Sequence, residues 1–269
     1  MTSGQRQSVW IRGNGKETVE NMHQFFVEPA QITGKQVCIT GGDVNHIKNV
    51  LRMKPGDELS VSNGVDGKEY RCAIVRFADE SVLCELLFIR EDGLELSAQI
   101  YLFQALPKAD KMELVIQKAV ELGAYEIIPV AASRSVVKLD GKKAQTRLAR
   151  WQGIAEAAAK QSRRRLIPSV RPVMSMTEAA AYAADMDCKL IPYELAAGMD
   201  KTKEMIGSIR AGQRVAVFIG PEGGFADSEI EAAQAAGIVP VTMGKRILRT
   251  ETAGLTMLAW IMYQLEAEA

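Results

Sequence analysis

Apolar and polar positions fall into two rhythms along this chain. From about 23 to 93 the pattern is that of short strands, with the alternation or β-branched content that half-buried strands need. The segments are Val37 to Thr40, Glu58 to Ser62, Tyr70 to Phe77 and Ser81 to Ile89. Pro55-Gly56-Asp57, Asn63-Gly64 and Asp66-Gly67 separate them as turns, because proline presets φ and glycine accepts a positive one. One short helix is expected from Val44 to Leu51, with Asp43 as its cap. The prediction for this part is a small barrel of antiparallel strands. Before it, Met1 to Asn21 is polar and shows no period, and reads as an expression leader or disordered extension outside the fold.

From about 97 to 269 strands alternate with helices. Gln99 to Ala105, Glu126 to Val130, Lys189 to Tyr193, Arg214 to Ile219 and Val239 to Met243 are apolar runs of strand length. Between them, Asp110 and Glu113 sit like a capping pair ahead of a helix with Met112, Val115, Ile116, Ala119 and Val120 on one face and Gly123 at its end. A long helix is predicted over Lys143 to Ser162. A further helix begins at Ser228 and Glu231 and stops at Gly237, and a closing one runs from Glu251 to Leu265. Alternation of this kind predicts an α/β domain with a mostly parallel sheet.

Composition narrows the class without naming a function. The 269 residues are 47% hydrophobic and 25% charged, and no apolar run is long enough to span a bilayer. With no secretory signal, the reading is a cytoplasmic protein. Cys38, Cys72, Cys84 and Cys188 are scattered, and His23 and His46 are the only histidines, so no metal site is expected and the thiols read as reduced and buried. Net charge is zero, yet from Lys142 to Arg171 nine basic residues face a single acid, Glu156. Such a span suits a phosphate backbone, or else a solvated helix face balanced by acids from elsewhere. Arg163-Arg164-Arg165 favours anions nearby, since three consecutive guanidiniums repel one another.

The chemistry is expected beyond the carboxyl ends of the parallel strands, where such sheets hold ligands. Three loops lie there: Tyr193-Glu194-Leu195, Gly220 to Gly224, and Met243 to Thr252. The glycines at 220, 223 and 224 let backbone approach a ligand, or serve only a tight strand-to-helix turn. They match neither a dinucleotide fingerprint nor a P-loop.

Phe218-Ile219-Gly220-Pro221-Glu222-Gly223-Gly224-Phe225, followed by Met243-Gly244-Lys245-Arg246-Ile247-Leu248-Arg249-Thr250-Glu251-Thr252-Ala253, resembles the RsmE-type ribosomal RNA small-subunit methyltransferases of the SPOUT superfamily. His46 to Met53 with Pro55-Gly56-Asp57, Lys108 to Gly123, Ser133-Arg134-Ser135, and Ala157 to Arg164 with Pro168 extend the likeness to nearly everything after Met22. The resemblance implies a PUA-like β-barrel over 22–93, joined to an α/β domain over 97–269 whose C-terminal part forms a trefoil knot. It also implies a homodimer that moves a methyl group from S-adenosylmethionine to ring nitrogen 3 of one uridine in 16S ribosomal RNA, free or in the small subunit. No metal, membrane or DNA partner is implied. One departure is Gln24, which stands before Phe25-Phe26 where the family pattern has arginine.

Carried onto this chain, the resemblance assigns Ile219, Gly220, Pro221, Glu222, Gly223, Gly224, Met243, Gly244, Ile247, Leu248, Arg249 and Thr252, with Tyr193, Glu194 and Leu195, to the cofactor. Arg52, Arg134, Lys160, Arg163, Arg164 and Arg165 are the expected RNA contacts. Arg249 is the first choice for a cation near the base or its phosphate, or else pairs with Glu251 or Glu222. Either glutamate could take the N3 proton or cap the helix that follows. Two other readings stay open: a related knotted methyltransferase acting on another RNA, and a non-catalytic RNA-binding protein without cofactor affinity.

Overall fold

The computed structural model describes residues 22–91, 94–137, 141–196 and 198–267; the polar extension to Asn21 lies outside them. The first part holds β1 (Gln24–Phe26), β2 (Ile32–Thr33), β3 (Gln36–Thr40), α1 (Gly42–Asn45), β4 (Glu58–Ser62), β5 (Glu69–Phe77) and β6 (Ser81–Arg90). They form one sheet in the order β1-β4-β5-β6-β3-β2 around a core of Val37, Ile39, Ile47, Leu59, Val61, Cys72 and Val82. Gly56 and Gly64 turn with φ of +94° and +73°, as their positions require.

Two expectations for this part are corrected. The sheet is not antiparallel throughout. β1 runs parallel to β4, with Gln24 beside Ser60, because the long path through β2, β3 and α1 lets the chain return in the same direction. Asp43 is not the helix cap, since that place is taken by Gly41 at φ +76° and Asp43 lies in the first turn. The rest of the expected helix is a wider turn, His46–Val50, in which Leu51 N–H bonds His46 O at 2.9 Å, five residues back.

The second part contains β7 (Gln99–Ala105), α2 (Lys111–Glu121), β8 (Glu126–Ala131), α3 (Gly141–Gln161), β9 (Ser169–Val170), β10 (Met174–Ser175), α4 (Met176–Tyr182), β11 (Cys188–Pro192), α5 (Met199–Gly207), β12 (Arg214–Ile219), α6 (Asp227–Ala235), β13 (Val239–Val241) and α7 (Thr250–Ala267). The strands make a parallel sheet in the order β10-β8-β7-β12-β11-β13, with β9 also on β8. Its central strands are apolar on both faces, as a doubly covered sheet demands. Ile100, Leu102, Val215 and Val217 meet Val115, Trp151, Ile206 and Met257 on one side. Tyr101, Phe103, Ala216 and Phe218 meet Ala179 and Ile230 on the other.

Local departures have local causes. Asp110 and Glu113 stand where expected at the start of α2, but the Asp110 side chain makes no cap bond, and both carboxylates turn to α3, at 3.4 Å from Arg147 and 2.8 Å from Arg150. α6 starts at Asp227, and Glu229 rather than Glu231 accepts the Ala226 N–H at 2.9 Å. The last strand ends at Val241, because Thr242 and Gly244 turn out of the sheet.

The arginine triplet is where the two parts meet. α3 ends with Arg163 at φ +59°; Arg163 N–H bonds Lys160 O and Arg164 N–H bonds Ala159 O, the paired bonds of a left-handed helix stop. That turn drives the next two side chains inward. Arg164 Nη2 lies 2.5 Å from Glu95, and its Nη1 donates to the carbonyls of Val120 and Ala124 at 3.0 and 2.7 Å. Arg165 reaches Glu69 at 2.6 Å, and Glu69 also holds Arg71 at 2.8 Å. Arg164 and Arg165 are therefore corrected as phosphate contacts: both are buried, and the anions beside them are carboxylates of this chain. Gln24 joins the same seam, donating to Arg164 O at 3.0 Å and to Ser62 Oγ at 3.2 Å. Ile167 N–H closes it on Gly64 O at 2.9 Å.

Candidate active site

Three neighbouring parallel strands, β12, β11 and β13, release their loops on one side of the sheet. A cleft of about 500 Å³ opens between those loops. Pro192 to Glu194 form one wall, Ile219 to Phe225 the second, and Thr242 to Thr250 with Ala253 the third. Thirteen of the fifteen residues assigned to the cofactor line it: Tyr193, Glu194, Ile219, Gly220, Pro221, Glu222, Gly223, Gly224, Met243, Gly244, Ile247, Leu248 and Arg249. Leu195 and Thr252 do not. Leu195 is 74% exposed past the end of its wall, and Thr252 is exposed on α7.

Glycine is required here for two reasons. A Cβ on Gly220 would sit 3.2 Å from the Phe225 ring and 3.3 Å from its backbone nitrogen, so no side chain fits without a shift. Gly224 and Gly244 hold φ of +67° and +101°, which side chains rarely adopt. Gly223 is different, because a Cβ there meets Arg134 at an ordinary 3.5 Å.

A buried chain of hydrogen bonds sets the walls. Thr250 Oγ1 donates to Gly220 O at 2.6 Å and accepts from Gln104 Nε2 at 2.9 Å, while Gln104 also donates to Ala105 O at 3.0 Å. The start of α7, the end of β12 and the end of β7 are thereby fixed to one another. The third wall is held by Thr202, which donates to Thr242 O at 2.8 Å and accepts from Thr242 N–H at 3.2 Å. Neither Gln104 nor Thr202 was expected. A glutamine inside an apolar strand was the available signal for the first.

Charge is arranged in two layers. At the mouth, Lys245, Arg246 and Arg249 are exposed lining residues, and Arg134 Nη1 donates to Gly223 O at 3.1 Å. The Arg134 turn is tied to α6 by Ser133, whose N–H and hydroxyl donate to Glu229 at 2.8 and 2.9 Å. Behind the cleft, Lys111 lies 3.1 Å from Glu222 and 3.2 Å from Glu251. Glu222 accepts a further bond from Lys108 N–H at 3.1 Å. Burial works to raise the Glu222 carboxyl. The backbone N–H groups of Glu222 and Lys108, together with Lys111, outweigh it and hold the group below the usual carboxylate range. So held, Glu222 is a weak proton acceptor. Glu251 does not line the cleft. Of the expected RNA contacts, Arg134 stands at the cleft, while Arg52, Lys160 and Arg163 are exposed away from its lining. Among the described residues no group of three or more His, Cys, Asp or Glu could hold a metal ion.

Known proteins share this architecture. Residues 94–262 match the RNA methyltransferase domain, and residues 39–87 match the RNA methyltransferase PUA domain. Ribosomal RNA small subunit methyltransferase E of Bacillus subtilis (strain 168) is 37% identical over 254 residues, 91% of this chain and 98% of that one. The crystal structure of a ribosomal RNA small subunit methyltransferase E from Neisseria gonorrhoeae bound to S-adenosyl methionine is 33% identical. It superposes with a TM-score of 0.73 over 89% of this chain and 96% of that one. A Legionella pneumophila protein solved in complex with the bound cofactor SAM is 31% identical, with a TM-score of 0.74 over 90% and 97% of the two chains.

Proposed function

This chain belongs to the ribosomal RNA small subunit methyltransferase E family, and on that premise we propose that its cleft binds S-adenosylmethionine and methylates ring nitrogen 3 of one uridine in 16S ribosomal RNA. The coarser statement is that it is an S-adenosylmethionine-dependent ribosomal RNA methyltransferase with a PUA-like domain. The observation that supports cofactor and RNA binding here is the cleft itself: three loops from adjacent strand ends, walled largely by backbone, with cations at the mouth; the ring atom is carried by the family likeness alone.

The residues present suit the cofactor. Gly224 and Gly244 leave room for a ligand against main chain, Gly220 lets Phe225 close on the loop, and Ile219, Met243 and Leu248 offer apolar cover for adenine and ribose. When bound, the cofactor supplies a methyl group that is already electrophilic. The chain must orient an unpaired uridine and stabilise the anion left when N3 gives its proton to water; as N3 takes the methyl group, the carbon–sulfur bond breaks and the cofactor would leave as the neutral thioether. Arg249, exposed at the mouth, is the residue placed for that charge, with Lys245, Arg246 and Arg134 on the neighbouring phosphates. Glu222, held ionised by its own hydrogen bonds, is set aside as the base.

The family likeness also supports a trefoil knot in the C-terminal part. From β13 at the sheet edge the chain crosses back to α7, which packs on β12 and β7. Residues 22–93 serve as the RNA-binding barrel and 97–269 as the methyltransferase domain. The unit is a homodimer working in the cytoplasm on ribosomal RNA or the small subunit. Among the described residues no helix is long and apolar enough to cross a membrane.

Calorimetric titration with S-adenosylmethionine, comparing the native chain with Gly220→Val, tests the cleft. Binding by the native chain and its loss in a folded variant is expected. Mass analysis of treated ribosomal RNA then locates the methyl group. A native chain that binds no cofactor sinks the reading and leaves a non-catalytic RNA-binding protein. A methyl group on another atom or another RNA favours the related knotted methyltransferase.

A further inference from the structure

Lys111 stands in the first turn of α2, outside the cleft lining, and joins two of its walls. Glu222 comes from the glycine loop and Glu251 from the first turn of α7, yet both carboxylates lie within 3.2 Å of the one ammonium. The three side chains are 27%, 25% and 16% exposed, so the cluster is largely shielded from solvent. Arg249 is the counterpart. It shares the cleft with Glu222, precedes Glu251 by two residues, and is exposed. Among the described residues neither glutamate pairs with it. Opposite charges attract strongly where solvent is partly excluded, so a carboxylate lining the same cleft as an arginine competes for it unless another cation holds that carboxylate.

We infer that Lys111 is a positioning residue: it holds the Glu222 and Glu251 carboxylates on its own ammonium and so keeps the Arg249 guanidinium free for the substrate. The inference rests on the methyl-transfer reading above and adds a residue to it. The charge count shows why one lysine suffices. With Lys111 present, both carboxylates share its one ammonium; without it, the nearest exposed cation of the cleft, Arg249, is left to answer both. The ammonium is well suited to the task. Its hydrogen bond to Glu222 and then its ion pair with Glu251 hold it in the charged form, and Glu222 is kept in place by Lys108 N–H.

The test compares Lys111→Met and Lys111→Arg with the native protein. Lys111→Met should lower kcat roughly tenfold or more, as loss of a transition-state charge does. Its cofactor Kd, measured by calorimetry, should stay within about threefold. Lys111→Arg, which keeps the positive charge, should recover kcat. In a crystal structure of Lys111→Met the Arg249 guanidinium should turn onto Glu222 or Glu251. Unchanged kcat in Lys111→Met overturns the inference. So does a parallel loss of cofactor binding and rate with Arg249 still free, which would make Lys111 a strut between loops. The position of Arg249 is read without activity. A native chain that transfers no methyl group therefore sinks the methyl-transfer reading, while the variant structure still decides the role of Lys111.

Discussion

Burial decides which single residues of this chain can react. Cys72 and Cys84 are 0% and 2% exposed, and burial pushes both thiols up to about 12, with a neighbouring cysteine adding to each. The thiolate is the reactive form, so at pH 8 only about one in ten thousand of either is available. Cys38 is half-buried rather than buried, and an aromatic disulfide reagent at pH 8 should therefore modify Cys38 first in the folded protein. The others should follow only in denaturant; fast release from all four would contradict the packing. A second expectation concerns Thr250. Thr250→Val keeps the shape but strands Gly220 O and leaves Gln104 Nε2 with only its bond to Ala105 O, at a cost of about 1–3 kcal/mol for buried polar groups left unpaired. Thermal melts should show that loss, and cofactor affinity should fall with it. At this scale the glycines and the loop residues were legible, because a strand followed by glycine is a local signal. Lys111, Gln104 and Thr202 were not, since each acts through a partner at least forty residues away.

An element end explains the arginine triplet. α3 stops in a left-handed turn at Arg163, a place glycine usually takes, and that turn separates an exposed arginine from two buried ones. Arg163→Gly should hold stability or raise it by up to about 1 kcal/mol, since glycine adopts positive φ without steric cost. The same change should weaken RNA binding if Arg163 meets a phosphate. Arg164→Ala should cost about 3 kcal/mol by taking the guanidinium from half-buried Glu95 and leaving the carbonyls of Val120 and Ala124 without their donor. Denaturant titrations of the two variants would separate these outcomes, and a marginal loss in Arg164→Ala would remove the seam from the account of stability. The sequence carried the basic run but not its division, because the decisive acids, Glu69 and Glu95, lie 96 and 69 positions away from their arginines. The longer strands and helices were legible from their spacing. β9 and β10, two residues each, gave too little pattern. α4 was overlooked although Ser175 and Glu178 form a full capping box at its start.

At the scale of the molecule, α7 carries a single polar side chain, Thr256, between Ala253 and Met262, which suits a helix covered on every side. Its outer side is not covered in the single chain: Tyr263 is 74% exposed, and Leu255 and Met262 elsewhere on the helix are half-buried. This supports the homodimer, and Tyr263→Glu should shift the mass measured by light scattering from two chains toward one. A native chain that already runs as one would refute it. The division into a strand-rich part and an α/β part was visible from the change of rhythm near residue 95. The parallel pairing of β1 was not, since no local pattern states which way a returning strand runs. The seam between the parts has a consequence for anyone recombining them. A chimaera that takes its barrel from a relative and keeps 97–269 brings Arg165 to a surface where Glu69 has to be supplied by the donor. A donor without an acid at that place leaves a guanidinium stranded in the join. Glu69, Arg71 and Arg165 therefore travel as one unit of inheritance, although 96 positions separate the first from the last.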